Sequence, residues 1–342
     1  MSPVQRVAIV GATGIEHVGR HLLRAATDAG LDAFIADTTE AYAGPRWLRV
    51  VNWRLRGHRP TRLAHFSRAV VQQCLDRRPQ VLIATGLAPL DTDALVALGQ
   101  AGIRRVCFLT DDPWNDAHRA PWFMAALPHY DLVLTPRDNI DDLRKAACRR
   151  VEFMRFGYAP DIHFPEPPDT DAERQQFASD VVFIGGADAD RLAWVEPLMT
   201  AGFRVALYGG YWDRYPSTRG AALGMADPRT VRKAIGGAAT ALCLVRRANR
   251  DGHSMRSLEV PAIGACMLVE DTPDHRALFG DEGETVLYVN GPDEARDALR
   301  RVLADPGLRA RLASAAHTRV VHGGHTWNDR LDSILRMVPG AE

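Results

Sequence analysis

Lysine is almost absent from this sequence: of its 42 basic residues only Lys145 and Lys233 are lysines, and the rest are arginines. A mechanism that needs several lysines is therefore excluded. The chain also lacks an excess of charge of either sign, because its acidic residues number 42 as well. We therefore expect no long-range attraction to nucleic acid.

Cysteine is scarce, and no two cysteines form a C-x-x-C pair among the five that are present. An odd number of scattered cysteines predicts buried thiols in a reducing compartment, without disulfides or a zinc site. The sequence also contains no apolar run of membrane-spanning length, and Met1 leads into a strand at Val7–Val10 without a charged and then apolar leader. We therefore expect a cytoplasmic protein.

Short apolar strands alternate with amphipathic helices along the chain, beginning with a buried-strand pattern at Arg6–Val10. This alternation predicts an α/β protein with parallel sheets, and 342 residues are most simply two domains. Prolines and acidic residues between Gly157 and Ala178 indicate a linker. We predict a first domain at 1–165, a linker at 166–178, a second domain at 179–324 and a final helical segment at 325–342.

The first strand is followed by the turn Gly11-Ala-Thr-Gly14, with Asp37 after the next strand. This order is typical of a short-chain dehydrogenase or sugar epimerase. The third glycine of that pattern would fall at His17, however, and no tyrosine is followed four residues later by lysine. We therefore interpret Gly11, Gly14 and His17 as a loop on the acceptor side of a doubly wound domain.

The stretch Arg46–Arg62 holds six arginines, Trp47 and Trp53, and no acidic residue. Such a stretch can rest on an anionic membrane surface, at the inner face of the membrane, or hold an acidic acceptor. The other interpretation is a solvated helix or loop whose tryptophans pack inward, and we favour it.

Two adjacent acidic residues, Asp111 and Asp112, follow the predicted strand Val106–Leu109. The carboxyl ends of strands are where open α/β sheets bind ligands. One of the two carboxylates is a candidate to bind an acceptor hydroxyl, or to act as general base if the reaction inverts configuration. The alternative is that one of them caps the following helix.

The most informative stretch starts with a strand at Ala241–Val245, breaks at Asp251-Gly252 and continues as a helix with Ser254 as its predicted N-cap. Backbone N–H groups and the positive end of the helix dipole then face a ligand, which favours an anion. The arginines of the loop and first turn, at 246, 247, 250 and 256, suit phosphate oxygens. Asp251 and Glu259 suit sugar hydroxyls, so the stretch suggests a nucleotide sugar.

Arg256-Ser-Leu-Glu259-Val-Pro-Ala-Ile-Gly264 resembles the signature of the CgeB-like (spore maturation protein-like) glycosyltransferases. The segments 180–186 and 207–212 extend the resemblance in the expected order. It implies the GT-B fold, in which two Rossmann-like doubly wound domains face a central cleft and a C-terminal helix crosses back to the first domain. The acid-x7-acid pair of related retaining enzymes is matched by Asp251 and Glu259, although the first acid is Asp instead of Glu.

The resemblance implies transfer of a sugar from a nucleoside diphosphate sugar to an unidentified acceptor, which could be a glycan, lipid, protein or small molecule. Retention of configuration is implied, and no cofactor or metal ion is required; we treat Asp188-Ala-Asp190 as a chance match to a D-x-D motif. The catalytic candidates are Asp251, Glu259, Asp111 and Asp112. The donor-binding candidates are Gly185, Gly186, Arg191, Arg246, Asn249, Gly252, His253, Ser254, Met255 and Arg256.

Two other functions compete with this interpretation. The first is a sugar-nucleotide epimerase on a GT-B-like or dehydrogenase-like scaffold, which would consume donor without an acceptor. The second is a non-catalytic glycosyltransferase-like binding protein. The missing Tyr/Lys pair argues against the dehydrogenase-like version of the first, and the complete set of arginines and acids argues against the second.

Overall fold

The computed structural model describes residues 5–338, so the outer ends of the predicted first domain and final segment, residues 1–4 and 339–342, lie outside the described residues. The chain divides into two compact units. The first unit comprises the residues up to Arg155, the short segment Ala248–Arg250 and the residues from Trp327 onwards. The second comprises Phe156–Arg247 and Asp251–Thr326.

The first unit is built on a six-stranded parallel sheet of order β2-β1-β3-β4-β5-β6. Its strands are β1 (Arg6–Gly11), β2 (Asp32–Asp37), β3 (Val81–Thr85), β4 (Arg104–Phe108), β5 (Leu132–Thr135) and β6 (Val151–Phe153). Its helices are α1 (Val18–Asp28), α2 (Arg46–Leu55), α3 (Leu63–Arg77), α4 (Thr92–Gln100), α5 (Pro121–Ala126), α6 (Ile140–Lys145) and α14 (Trp327–Met337). The predicted doubly wound α/β architecture is confirmed for this unit.

Continuous apolar strands explain this sheet, because parallel strands covered by helices are buried on both faces. Val7 and Ile9 in β1 are fully buried, as are Leu82 and Ile83 in β3. The last helix, α14, packs against α1 within the same unit.

The side chain that anchors α14 is Trp327, which is 2% exposed. Its ring stacks on His21 with centroids 5.7 Å apart and meets Phe108 edge-on at 5.9 Å. The first unit is therefore completed by residues that are distant in sequence.

The second unit has its own six-stranded parallel sheet, of order β12-β11-β10-β7-β8-β9. Its strands are β7 (Ser179–Ile184), β8 (Val205–Tyr208), β9 (Ala222–Gly224), β10 (Ala238–Cys243), β11 (Met267–Glu270) and β12 (Leu287–Val289). Its helices are α7 (Asp171–Phe177), α8 (Ala189–Thr200), α9 (Pro228–Gly237), α10 (Arg256–Ile263), α11 (Pro273–Phe279), α12 (Pro292–Ala304) and α13 (Pro306–Val321).

The predicted linker at 166–178 has a different structure from the one we expected. It contains α7, which begins after the N-cap Thr170 and packs against α9. The buried Lys233 of α9 donates hydrogen bonds to Glu173 at 2.9 Å and Asp169 at 3.3 Å. These ion pairs make the proline-rich stretch part of the second unit, whose boundary lies at Phe156 instead of 179. Within residues 5–338, none of the helices has the length and apolarity needed to cross a membrane.

Candidate functional site

The helix that carries the signature, α10, begins one residue later than predicted. Its N-cap residue is Met255, whose side chain makes no capping hydrogen bond. The prediction that Ser254 is the N-cap is therefore wrong. The backbone N–H of Ser254 instead donates to Ser257 Oγ at 3.1 Å. The N–H groups of Met255 and Arg256 have no partner within the described part of the chain. This end of α10 therefore keeps two donors and the positive end of a helix dipole.

Three arginines act on one another near this helix end. Arg191, in the first turn of α8, donates to the carbonyl of Gly186 at 2.7 Å. Its Nε is buried and has no hydrogen-bond partner among residues 5–338. Burial lowers the pKa of the Arg191 guanidinium; Asp188 opposes this, and the positive charges of Arg246 and Arg256 lower it further. Such a cluster of cations favours an anionic guest.

Glu259 lies one turn into α10 and is 2% exposed. Its carboxylate pairs with Arg256, and Oε1 lies 3.6 Å from Nε2 of the buried His163. Burial lowers the pKa of His163, and the negative charge of Glu259 opposes that effect. No sequence pattern singles out His163, because it stands alone in the proline-rich stretch.

The loop between β10 and α10 is closed by Asp251. Its Oδ2 accepts the N–H of Arg246 at 3.2 Å, and its own N–H donates to the carbonyl of Arg246 at 3.3 Å. Arg250, just before it, has φ of 54° in the left-handed region. The predicted sugar-binding acid is therefore also the residue that fixes the shape of the loop.

The next two residues of the loop make structural contacts. A Cβ added to Gly252 would lie 2.8 Å from Cβ of Asp274, so only glycine fits without movement. His253 is fully buried; its Nε2 accepts the N–H of Phe156 at 3.2 Å, and its Nδ1 lies 2.5 Å from Oδ2 of Asp274. These contacts position the chain that leads into α10.

The pair Gly185-Gly186 follows β7 and packs backbone against backbone. The carbonyl of Gly185 accepts the indole N–H of Trp212 at 2.8 Å. A Cβ added to Gly209, whose φ is 132°, would lie 2.3 Å from that carbonyl oxygen. These two donor-binding candidates thus lie in close backbone contact with Gly209 and Gly210 of the next loop.

The tip of the β10–α10 loop, Ala248–Arg250, belongs to the first unit. Asn249, a donor-binding candidate, is 2% exposed; its amide donates to Asp111 at 3.2 Å and accepts from Asn115 at 2.6 Å. Both polar atoms of this side chain are therefore already engaged in the first unit.

Arg250 forms a two-point ion pair with Asp112, with Nε to Oδ2 at 2.5 Å and Nη2 to Oδ1 at 2.9 Å. Its Nη1 donates to Asp142 at 2.5 Å. The hydrogen bonds that Arg250 donates to Asp112 raise the pKa of its guanidinium, and Asp142 adds to the effect. Against our expectation for the loop arginines, this guanidinium is occupied by carboxylates, as is that of Arg247, which donates to Glu270 at 3.1 Å.

Neither acid that follows β4 caps a helix. Asp112 is 2% exposed, and besides its pair with Arg250 it accepts the N–H of Trp114 at 3.1 Å. Asp111 is half-buried, and its Oδ1 lies 3.6 Å from Nε2 of His118. Asp111 is therefore the more accessible of the two candidate bases.

The glycine turn after β1 is a packing site. A Cβ added to Gly11 would lie 2.8 Å from Cα of Gly19, so the turn and α1 meet through two glycines. Gly14 accepts the N–H of His17 at 3.0 Å, and His17 precedes α1 without a side-chain capping bond. Thr13 donates to Asp37 at 2.5 Å.

The stretch 46–62 differs from our favoured interpretation, in which its tryptophans pack inward. Trp47 is 68% exposed and Trp53 is 48% exposed. The predicted solvated helix is confirmed by α2, but the prediction that the tryptophans pack inward is wrong. The inward side of α2 is formed instead by Leu48, Val51 and the buried Asn52.

The D-x-D match has a local structural role. Asp188 is the N-cap of α8 and accepts the N–H of Arg191 at 2.9 Å. Among residues 5–338, no three His, Cys, Asp or Glu side chains are grouped to hold a metal ion.

Comparisons with known proteins place these features in context. Residues 191–336 match a family model described as glycosyl transferase-like. No curated protein matches the chain by sequence.

Solved structures match over nearly the whole chain. Sucrose-phosphate synthase from Thermosynechococcus elongatus has a TM-score of 0.67 at 14% identity, covering 97% of this chain and 98% of that one. Anabaena HepE in complex with UDP-glucose has a TM-score of 0.65 at 14% identity, covering 97% and 100%. A glycosyltransferase from Rickettsia africae has a TM-score of 0.65 at 11% identity, covering 98% and 97%. The chain therefore adopts the GT-B fold and carries a glycosyl transferase-like domain over residues 191–336.

Proposed function

We propose that this chain is an enzyme that transfers a sugar from a nucleoside diphosphate sugar to an acceptor. The observation that carries the proposal is the group of Arg191, Arg246 and Arg256 beside the uncapped start of α10. Two unpaired N–H groups, a helix dipole and three guanidinium groups suit a diphosphate, which carries several acceptor oxygens and negative charge. The structural relative from Anabaena is a complex with UDP-glucose, which supports the donor class.

In the proposed reaction, the bond between the anomeric carbon and the diphosphate oxygen breaks, and a bond to an acceptor oxygen forms. Negative charge then develops on the leaving diphosphate. Fixed cations and helix N–H groups stabilise that charge more strongly in the transition state than in the bound donor. These groups supply the stabilisation that a metal ion would otherwise give, so we propose a metal-independent reaction.

We assign Glu259 to the ribose or the transferred sugar and Asp251 to sugar hydroxyls. The pairing of Glu259 with Arg256 holds both side chains in defined positions next to the start of α10. Seven residues separate the two acids, and this spacing is the basis for proposing retention of configuration. Inversion would need a general base from the first unit, and the carboxylate of Asp112 is already bound by Arg250.

We propose that the acceptor is held by the first unit, with the loop at Gly11, Gly14 and His17 and the acid Asp111 as its contacts. We further propose a cytoplasmic location, because all five cysteines are buried thiols.

Thermal unfolding with a panel of nucleotides tests the donor site. UDP, GDP, dTDP, ADP and CMP are each added with magnesium or with a chelator. A ligand at about a hundred times its dissociation constant stabilises the folded state by about 2.7 kcal/mol. We expect one nucleoside diphosphate to raise the melting temperature equally in both conditions.

Variants locate the site. Arg191→Gln and Glu259→Ala should each weaken nucleotide binding about tenfold or more, since hydrogen bonds to charged groups contribute about 1.5–3 kcal/mol. Arg204→Gln is the matched control: Arg204 lies in the same unit, its side chain is 69% exposed, and it pairs with Asp180 at 3.5 Å. It should leave binding unchanged.

Other outcomes would redirect the assignment. If NAD(P) stabilises the protein and no nucleoside diphosphate does, the transferase proposal fails and the turn Gly11–Gly14 becomes the candidate site. If a sugar nucleotide is converted without acceptor and without release of nucleoside diphosphate, the protein is an epimerase. If nucleotide binds but no acceptor in a broad screen is modified, a binding protein is indicated.

A further inference from the structure

One span of seventeen residues in the first unit concentrates six arginines. Residues 46–62, which we call the arginine-tryptophan surface, contain six arginines and no acid, whereas the whole chain has 42 basic and 42 acidic residues. None of the six is in an ion pair among the described residues, although arginines elsewhere are widely paired. The rest of the chain is therefore net acidic, and the surface concentrates uncompensated positive charge in one place.

The same surface exposes large apolar side chains. Trp47, Val50 and Trp53 are 68%, 44% and 48% exposed, and Leu55 at the end of α2 is 79% exposed. The spacing of three residues puts the first three on one side of the helix, next to Arg46, Arg49 and Arg54. Two exposed tryptophans on one short helix are not accounted for by the packing of the first unit.

These side chains surround a groove with a volume of about 450 Å³. Arginine guanidinium groups and the apolar side chains of Val50 and Trp53 share its lining. The full lining is Tyr42, Arg46, Arg49, Val50, Trp53, Arg54, Arg59 and Thr61. A groove with four cations and an apolar wall fits a phosphate group that is attached to an apolar body.

The turn that follows α2 holds the surface in shape. Gly57 and His58 have φ values of 58° and 56°, and the His58 ring lies 4.4 Å from that of Trp53. The carbonyl of His58 accepts the indole N–H of Trp122 at 3.4 Å. A Cβ added to Gly57 would lie 2.6 Å from Cδ of Pro121. The arginines of the surface are thus presented on a backbone that is fixed to the body of the unit.

We propose that the arginine-tryptophan surface docks the chain on an anionic phospholipid bilayer, with α2 lying in the plane of the headgroups. Arginines next to an anionic surface each contribute attraction, and tryptophans favour the interface between headgroups and acyl chains. The groove receives a lipid phosphate, while Trp47 and Leu55 enter the apolar boundary. An acidic protein or nucleic acid would account for the arginines but not for the adjoining exposed Trp47, Val50 and Leu55.

This inference goes beyond the proposed sugar transfer and is independent of it. None of the residues assigned to the donor site lies within 46–62. Docking through α2 would bring the first unit to acceptors at the membrane surface, whereas nucleotide binding rests on residues of the second unit. Failure of one proposal therefore leaves the other testable.

Vesicle sedimentation tests the docking. The full chain is mixed with vesicles of phosphatidylcholine alone, or with about 30% phosphatidylglycerol added to supply negative surface charge. We expect binding to the anionic vesicles only, and its loss as salt rises from about 0.05 to about 0.5 M, because salt screens exposed charges. Bound protein should also show a blue shift of tryptophan emission that Trp47→Phe reduces.

Two double variants locate the contact. Arg49→Gln with Arg54→Gln should lower partitioning onto anionic vesicles roughly 30-fold, since each arginine near the surface contributes about fivefold. Arg68→Gln with Arg301→Gln is the matched control, because it removes the same charge from exposed residues of α3 and α12 that make no ion pair with any residue between 5 and 338. The control should bind within about twofold of the wild type. Circular dichroism and thermal unfolding confirm that each variant is folded.

The proposal is overturned if the wild type binds neither kind of vesicle or binds both kinds equally. It is also overturned if the two double variants lose binding to the same extent. If instead free inorganic phosphate or an acidic protein occupied the surface and vesicles did not, the surface would be a site for a soluble partner and the membrane assignment would be wrong.

Discussion

The ion pair between Asp112 and Arg250 offers a quantitative test of how the first unit is assembled. Asp112 is 2% exposed. Its Oδ2 accepts a hydrogen bond from Arg250 Nε at 2.5 Å, and its Oδ1 accepts one from Arg250 Nη2 at 2.9 Å. The substitution Asp112→Asn keeps the shape of the side chain and removes its charge. The guanidinium then retains Asp142 as its charged partner, at 2.5 Å.

The cost follows from burial. Removing one partner of a fully buried ion pair costs about 3–5 kcal/mol. The side chains of Arg250 and Asp142 are 34% and 39% exposed, so water and the remaining carboxylate recover part of that loss. We therefore expect Asp112→Asn to lower the free energy of unfolding of the first unit by about 2 kcal/mol. The melting temperature should fall by about 4–8 °C for a unit of this size.

The assay is chemical denaturation combined with hydrogen exchange, because a chain of two units need not unfold in one transition. Exchange at residues 248–250 reports on the segment that Asp112 holds. Asp297→Asn is the control, since Asp297 pairs with Arg300 at 3.1 Å and both side chains are exposed, at 66% and 60%. Loss of this exposed pair should cost less than about 0.5 kcal/mol.

A double-mutant cycle with Arg250→Gln completes the test. The losses of unfolding free energy in the two single variants should add up to more than the loss in the double variant. The reason is that the second substitution removes a partner that the first has already left unpaired. If Asp112→Asn costs no more than Asp297→Asn, the buried pair does not stabilise the first unit. Additive effects of Asp112→Asn and Arg250→Gln would likewise show that the two side chains are not coupled.

Two further predictions concern other parts of the structure. Burial lowers the pKa of His275 to about 4. As pH falls, the unfolded chain therefore takes up a proton on this imidazole before the folded chain does. The contribution of His275 to the free energy of unfolding is complete above about pH 6.5 and is about 2 kcal/mol smaller at pH 5. Thermal unfolding across this range should show the decline in wild type and a shallower one in His275→Gln. Gly11→Ala should cost about 1–3 kcal/mol, because the new methyl group would lie 2.8 Å from Cα of Gly19. Gly220→Ala, where a Cβ has nothing within 4 Å, should be close to neutral; equal losses in urea titrations of both variants would contradict this reasoning.

Local patterns in the sequence were sufficient for most strands and most helices, but they did not indicate the short strand β9. The apolar run at Arg6–Val10 became β1, and the glycine at 264 ends α10 with φ of 89°. These elements are predictable because the period of apolar residues and the conformational needs of a helix end are properties of neighbouring residues. The α/β fold with two parallel sheets follows from their order.

Predictions failed where a residue's partner lies far along the chain. Nothing near Asp112 indicates that Arg250, 138 residues later, is its partner. The prediction of an N-cap at Ser254 failed for a local reason. The hydroxyl of Ser257 accepts the backbone N–H of Ser254 in the same turn. The orientation of α2 was ambiguous because it carries apolar residues on two sides, and only packing decided that Leu48 and Val51 face inward.

The helix α14 has a consequence for the order of events during synthesis. The first unit includes α14, whose Trp327 packs on His21 and Phe108, yet Phe156–Arg247 and Asp251–Thr326 of the second unit come before it in the chain. At about 5–20 residues per second a ribosome needs roughly 10–30 s to make this intervening stretch. During that time the nascent first unit exposes the site that Trp327 will fill. The unit translated first is therefore the one completed last, and a shortened chain that stops before α14 should depend on chaperones.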